Sequence, residues 1–206
     1  MLYNFCSRGY NLGAKETDAA RTVPGFVHRT AQKRIYKRGV LTMSKEAKTN
    51  AMRMLERAKI SYSAHEYPHE EGAAVDGATV AALTGQDPAK VFKTLVTQGA
   101  DRNFYVFVIP VQEELDLKKA AKAAGVKSVS MLHVADLLKT TGYVRGGCSP
   151  VGMKKQFATV FDESCLAQDT ILVSAGRIGT QIEAAPADLI KVTRGKTAPI
   201  TAEAKG

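Results

Sequence analysis

Cysteine is scarce in this chain: Cys6, Cys148 and Cys165 are the three in 206 residues, with no CxxC pair and no even-numbered framework. That excludes a disulfide-dependent fold and points to a reducing, cytoplasmic setting. The four histidines have no metal-ligand spacing; His65 and His69 stand four apart, but Pro68 between them breaks any shared helical face. No metal site is expected. No apolar run approaches the roughly 20 residues that cross a bilayer, so no membrane span is expected. The GxxxxGK(S/T) phosphate loop and the GxSxG elbow are both missing, which removes support for triphosphate hydrolysis and for Ser149 or Ser174 as an elbow nucleophile.

What is there reads as ordinary globular composition, 45% hydrophobic and 24% charged. The net charge of +9 is unevenly spread. Residues 1–42 hold eight Lys/Arg and two Asp/Glu, or +6, leaving +3 for the other 164 residues. The body is only mildly basic, so nucleic-acid binding does not follow from overall basicity. Residues 1–42 lack hydrophobic periodicity and a secretory h-region. An organellar leader fits their Arg-rich composition. A disordered extension, or a start assigned ahead of an initiator at Met43, fits better, because a well-formed domain begins directly after Met43.

That domain spans 43–195, with 196–206 as a polar tail. Ser44 is the expected N-cap of a helix to about Lys59, with Ala47, Ala51, Met54, Leu55 and Ala58 on its apolar face. Strands are predicted at 60–67, 91–96, 103–109, 126–131, 159–161, 170–173 and 182–184. Helices are predicted at 78–83, 117–124 and 133–139, with a helical turn at 187–190. The lysines of 117–124 read as a solvated face, and His133 as the start of its helix. The elements mix irregularly, which is an α+β pattern without repeated βαβ units.

Lys93 stands out in Val91-Phe92-Lys93-Thr94-Leu95-Val96. Alternation puts it with Val91 and Leu95, while Phe92, Thr94 and Val96 take the other face. Both faces are largely apolar, so the ammonium either snorkels to a rim or meets an anion in a cleft. Thr141 to Met153 is the second feature: four glycines and Pro150 make a loop whose backbone can approach a ligand closely, or a plain connecting turn. Gly146-Gly147 can present consecutive N–H groups to a carboxylate, phosphate or oxyanion. Lys154-Lys155 follow directly, and Arg177 lies in a second glycine-rich turn after a strand; each suits a phosphodiester backbone or plain water. Cys148 has Arg145 nearby but no assignable base, so a non-nucleophilic cysteine is the safer reading.

Taken in order, Val91–Leu95, then Leu115-Asp116-Leu117-Lys118-Lys119, then Thr141-Gly142-Tyr143 leading into Gly146-Gly147-Cys148-Ser149-Pro150, resemble the YbaK/EbsC family. Its members are bacterial Cys-tRNA(Pro) deacylases, relatives of the editing domain of bacterial prolyl-tRNA synthetases. The resemblance covers about Met43 to Val192. It implies a mixed, largely antiparallel sheet partly curled into a barrel with flanking helices. It also implies hydrolase or lyase chemistry on an aminoacyl ester in trans, without metal or organic cofactor. Lys93 matches the family's lysine, and Gly146–Pro150 its GxxxP loop. The substrate's own thiol is the implied nucleophile, with Lys93 and Gly146 as the catalytic pair.

Tyr67 and Ser174 match family pocket positions. Asp76 and Gln181 depart from it, where other members carry an aromatic residue and, in some, Asp; this bears on amino-acid selectivity. Substrate contacts are thus expected at Tyr67, Asp76, Gly147, Cys148, Ser149, Pro150, Ser174 and Gln181, and tRNA contacts at Lys154, Lys155 and Arg177. The implied partners are the acceptor end of tRNA(Pro) and prolyl-tRNA synthetase. An Ala-tRNA(Pro) deacylase and a non-catalytic tRNA- or nucleotide-binding module are the alternatives.

Overall fold

The computed structural model describes residues 47–69 and 77–203, and the backbone of 34–35. Five helices and nine strands occur among them. Helix α1 spans Asn50–Arg57 and buries Ala51, Met52 and Leu55. Its N-cap is Thr49, whose Oγ1 accepts from the Met52 N–H at 3.2 Å. The expected cap, Ser44, lies outside the described residues, and residues 47–49 are not helical. The apolar face turns accordingly: Ala47 and Ala58 are exposed, and Met52 is buried.

Strand β2, Ser63–Glu66, pairs with β8, Thr180–Ala184, and β8 with β7, Ile171–Ser174, all antiparallel. A short β1, Arg34–Ile35, adds to the outer edge of β2. The second sheet is built on a hairpin of β3, Phe92–Gly99, and β4, Phe104–Pro110. Asp101 organises its turn, accepting from Asn103 and, at 2.7 Å, from the Tyr105 hydroxyl. β5, Val129–Met131, joins the far end of β3. β6, Ala158–Asp162, runs parallel to β4, and β9, Lys196–Ala198, parallel to β6.

The sheet is mixed and largely antiparallel, as expected, but it does not curl into a barrel. Closure needs each strand paired along both edges around the ring. Here the open edge of β3 is shared: β5 takes Thr97–Gly99, while β7 is bridged to that edge among the described residues only at Val91–Leu172, an isolated parallel bridge. The result is two open sheets, ordered β1-β2-β8-β7 and β5-β3-β4-β6-β9.

Helix α2 spans Gly77–Thr84, α3 Leu117–Ala124, α4 Val134–Thr141 and α5 Pro186–Thr193. The largest core cluster joins α1, one face of both sheets, the 143–151 loop and α5. A smaller one lies under α3, and a third gathers Ala81, Val91, Leu172 and Val111 under α2. The segment read as a polar tail is part of the second sheet. Beyond β9, Ile200 is fully buried and donates its N–H to Asp162 Oδ2 at 3.0 Å. Lys119, read as solvated, is half-buried and reaches the Thr201 carbonyl at 3.0 Å. No described helix is long and apolar enough to cross a membrane.

Candidate functional site

Strand β3 holds Lys93 at half burial, with its Nζ donating to the Val111 carbonyl at 3.0 Å. Burial pulls its pKa below the ordinary lysine value, and the nearby Glu114 and Glu113 carboxylates oppose that shift. The side chain is therefore not free in water, and it forms no ion pair with a described residue. Val111 also carries Gly77, the first described residue after Asp76; a Cβ there would collide with the Val111 side chain. Asp76 itself lies outside the described residues.

The Val91–Leu172 bridge decides what shares a face with Lys93. Both bridge residues point into the core under α2. Two residues further along each strand come Lys93 and Ser174, so alternation sets them on that same face. Gln181 is the register partner of Ser174 on β8, and His65 that of Gln181 on β2. Lys93, Ser174, Gln181 and His65 thus form a polar row across three strand boundaries. Gln181 is buried, and its Oε1 has no hydrogen-bond partner among the described residues. Thr94, on the opposite face of β3, has a buried Oγ1 in the same condition. His65 Nε2 lies 2.7 Å from Glu183 Oε2, while Glu183 Oε1 accepts from Thr170 Oγ1 at 2.8 Å. Gln86 Nε2 approaches His65 Nδ1 at 3.4 Å.

The glycine loop reaches this row through the turn after β7. Gly147 stands 3.1 Å, by its absent Cβ, from the Arg177 and Ile178 backbone, so any side chain there would force the two loops apart. Next to it Gly146 adopts φ +80°, a conformation that suits glycine. The expected pair of free N–H groups is not formed, because Gly147 N–H closes a turn onto the Val144 carbonyl at 3.0 Å. The N–H of Gly146 has no acceptor among the described residues. Tyr67 lies on the other side of the same turn: it is buried, and its N–H donates to the Gly179 carbonyl at 2.9 Å.

Val144 and Arg145 are exposed, but the loop's next side chains, Cys148 to Pro150, are buried. Cys148 packs in the main core, and burial pushes its thiol up to about 12. Ser149 is fully buried, with its Oγ accepting from the Val151 N–H at 3.3 Å. Pro150 is buried as well. Tyr143 ties the loop together, its hydroxyl donating to the Val151 carbonyl at 2.7 Å. Cys148 and Ser149, expected among the substrate contacts by resemblance, are both buried, and Ser149 bonds within the loop.

The three expected tRNA cations differ in setting. Lys154 donates to the Leu138 and Lys139 carbonyls at the end of α4. Arg177 is tied to Thr180 Oγ1 at 2.8 Å. Lys155 is exposed and makes no hydrogen bond or ion pair with a described residue. His133 caps α4 by position, without a side-chain bond. Among the described residues no three His, Cys, Asp or Glu side chains converge to hold a metal ion. The His65–Glu183–Thr170–Gln86 cluster and the orphaned Thr94 hydroxyl were not anticipated. For Thr94 the signal was its place beside Lys93; the cluster joins four separate segments, and nothing in the sequence links them.

Residues 69–192 match the family of aminoacyl-tRNA editing domains. A relative from Enterococcus faecalis (strain ATCC 700802 / V583), provisionally named Cys-tRNA(Pro)/Cys-tRNA(Cys) deacylase EbsC, is 49% identical over 156 residues, covering 76% of this chain and 94% of the relative. Two solved structures share the fold. One, provisionally described as a trans-editing enzyme for prolyl tRNA synthetase, is 22% identical with a TM-score of 0.65, covering 75% of this chain and 96% of that one. The other, hypothetical protein APE2540, is 21% identical with a TM-score of 0.67, covering 75% and 100%. The fold and the polar row thus sit in an aminoacyl-tRNA editing domain. The chain belongs to the YbaK/EbsC family.

Proposed function

We propose that the protein edits in trans in the cytoplasm, cleaving the ester of cysteine mischarged onto tRNA(Pro). The observation that carries this reading is the polar row: a half-buried ammonium at Lys93 beside Ser174 and the buried, unpaired Gln181 acceptor. The ammonium favours an anionic group and the Gln181 oxygen a hydrogen-bond donor, because each is costly to leave unpaired. Lys93 holds the phosphate or ribose region of the terminal adenosine. Tyr67, Ser174 and Gln181 line the amino-acid end. Gly147 supports this arrangement by letting the two turns close on each other.

The nucleophile in this reading is the substrate's thiol. Cys148 is buried and fully protonated at neutral pH, so it is a poor candidate for attack. The substrate sulfur attacks the ester carbonyl carbon, and the bond from that carbon to the ribose oxygen breaks. Cysteine leaves as a thiolactone, and the thiol proton ends on the ribose hydroxyl. Fixing thiol and ester in one pose converts this to an oriented intramolecular step. In this reading the Gly146 N–H, which has no acceptor among the described residues, stabilises the developing oxyanion. The same chemistry extends to Cys-tRNA(Cys), which the relative's name also includes.

The test is release of labelled amino acid from Cys-, Ala- and Pro-tRNA(Pro), with thiolactone trapping. Cysteine is expected to be released much faster than alanine or proline. Alanine released as fast as cysteine would overturn thiol assistance. Tight, salt-sensitive tRNA binding without any cleavage would make the protein a binding module.

A further inference from the structure

The glycine loop leads into an open groove that the editing reading leaves unused. A small depression of about 40 Å³ lies beside Pro150–Met153, and Lys155 and Phe157 line both it and a larger groove of about 400 Å³. The groove is bounded by α4 on one side and by the starts of β4 and β6 on the other. Its floor is aromatic: Phe104 and Phe157 meet edge to face, with ring centroids 6.2 Å apart and planes at 90°. Both rings are half-buried, so each keeps part of its surface open. Leu132 packs alongside. Lys139 and Lys155 stand exposed at the walls, and neither pairs with a described residue through its ammonium. Asp136, one turn before Lys139, is the acid of that wall.

An aromatic floor between two cations suits a ligand that is flat and apolar in one part and anionic in another. A nucleotide is both, and such grooves hold unpaired nucleic acid by stacking bases and tracking the backbone. Asp136 offers an acceptor to an exocyclic amine. Gln98, on the groove's rim, lies five residues along β3 from Lys93, about 17 Å at ~3.4 Å per residue, and alternation puts it on the other face. The groove is therefore too far to touch the ester, yet it is continuous with the loop that flanks the polar row.

We propose that this groove binds an unpaired nucleotide of the tRNA 3′ end, upstream of the aminoacyl adenosine. Its base rests on Phe104 and Phe157, and its phosphate lies between Lys139 and Lys155. The assignment rests on the tRNA-substrate reading above. It is tested by fluorescence anisotropy with uncharged tRNA(Pro), intact or trimmed of its unpaired 3′ end, across a salt series. Phe104→Leu, which keeps apolar bulk, is expected to weaken binding of intact tRNA by roughly five- to a hundredfold. The double variant Lys139→Gln/Lys155→Gln, at exposed positions, is expected to reduce the slope of log affinity against log salt by about 1 to 2. Neither variant is expected to differ from the parent protein on trimmed tRNA.

Unchanged binding of intact tRNA by the lysine double variant overturns the proposal, as does equal loss on trimmed tRNA or no binding by the parent protein. A defect that appears only when a second protein is present overturns it in favour of a protein-docking surface. Because the tRNA is uncharged, the outcome is separate from editing: failure to cleave Cys-tRNA(Pro) removes the proposed activity, while the binding series still decides the groove.

Discussion

Lys93 is held against two opposing demands. Burial disfavours its charge, while the Val111 carbonyl and the field of Glu113 and Glu114 favour it. With its folded pKa below the unfolded value of 10.5, the unfolded chain binds more protons between the two values. This group's contribution to stability therefore rises with pH through that window, so at neutral pH its charge is a cost to the fold. Replacing it by Lys93→Met removes both that cost and one hydrogen bond. We expect a stability change within about 1 kcal/mol either way in urea denaturation, alongside a loss of deacylation of about a hundredfold or more. Undiminished activity would return Lys93 to a structural role. The pH profile should follow suit: enzyme-dependent cleavage falls at alkaline pH before 10.5 is reached, and any activity left in Lys93→Arg lacks that fall.

Cys148 and Cys165 give a second prediction at the residue scale. Burial pushes their thiols up to about 12 and about 11, so both are protonated across the neutral range. Iodoacetamide at mildly alkaline pH should leave their peptides unlabelled in the native protein and label them after denaturation, as read by mass spectrometry. Cys148→Ala should retain deacylation at a stability cost of about 1 kcal/mol. Loss of cleavage in a folded Cys148→Ala protein would reopen the case for an enzymic nucleophile.

Among the elements, β9 and the residues after it are the least expected contributors. The Lys196–Ala198 strand has no alternation strong enough to mark it, and Ile200 sits alone in a polar neighbourhood of sequence. What recruits them is remote: the open edge of β6 and the Asp162 carboxylate, which also caps the turn beginning at Glu163. Ile200→Ala should therefore cost about 2–5 kcal/mol, as a lower urea midpoint, despite its nearness to the C-terminus. A change under about 0.5 kcal/mol would mean that the edge contributes little.

By contrast, α3 is legible to the residue. Asp116 receives the first N–H groups at 2.8 and 3.0 Å, and Gly125 turns left-handed at φ 73° to end it. Helix α1 begins at Asn50 with Thr49 as its cap, a hydroxyl residue that the local pattern does not separate from Ser44. The Lys93 strand and the glycine loop could be read locally, since an ammonium in an apolar strand and clustered glycines are local anomalies. The polar row could not. It depends on a single bridge at Val91–Leu172, and register between segments 81 residues apart in sequence leaves no trace in either.

For the whole molecule, charge distribution sets how the substrate is met. The body beyond residue 42 carries +3, and two of its three anticipated tRNA cations are already engaged, Lys154 with helix carbonyls and Arg177 with Thr180. Each phosphate contact contributes a salt-sensitive increment, so a small net charge with one free cation among those three means weak and shallowly salt-dependent tRNA affinity. If the protein edits in trans as proposed, a weak binder must compete for a mischarged tRNA that the synthetase has just released. Capture is faster when the two proteins share the tRNA, because a bound partner raises the local concentration of the acceptor end. Adding prolyl-tRNA synthetase should therefore lower the apparent KM for Cys-tRNA(Pro) severalfold while leaving kcat unchanged, measured in steady-state deacylation at fixed salt. The effect should fade when the deacylase is saturated with tRNA. An unchanged KM would mean that the protein finds its substrate alone, and that the exposed Lys155 and its neighbours supply more of the encounter than their number suggests.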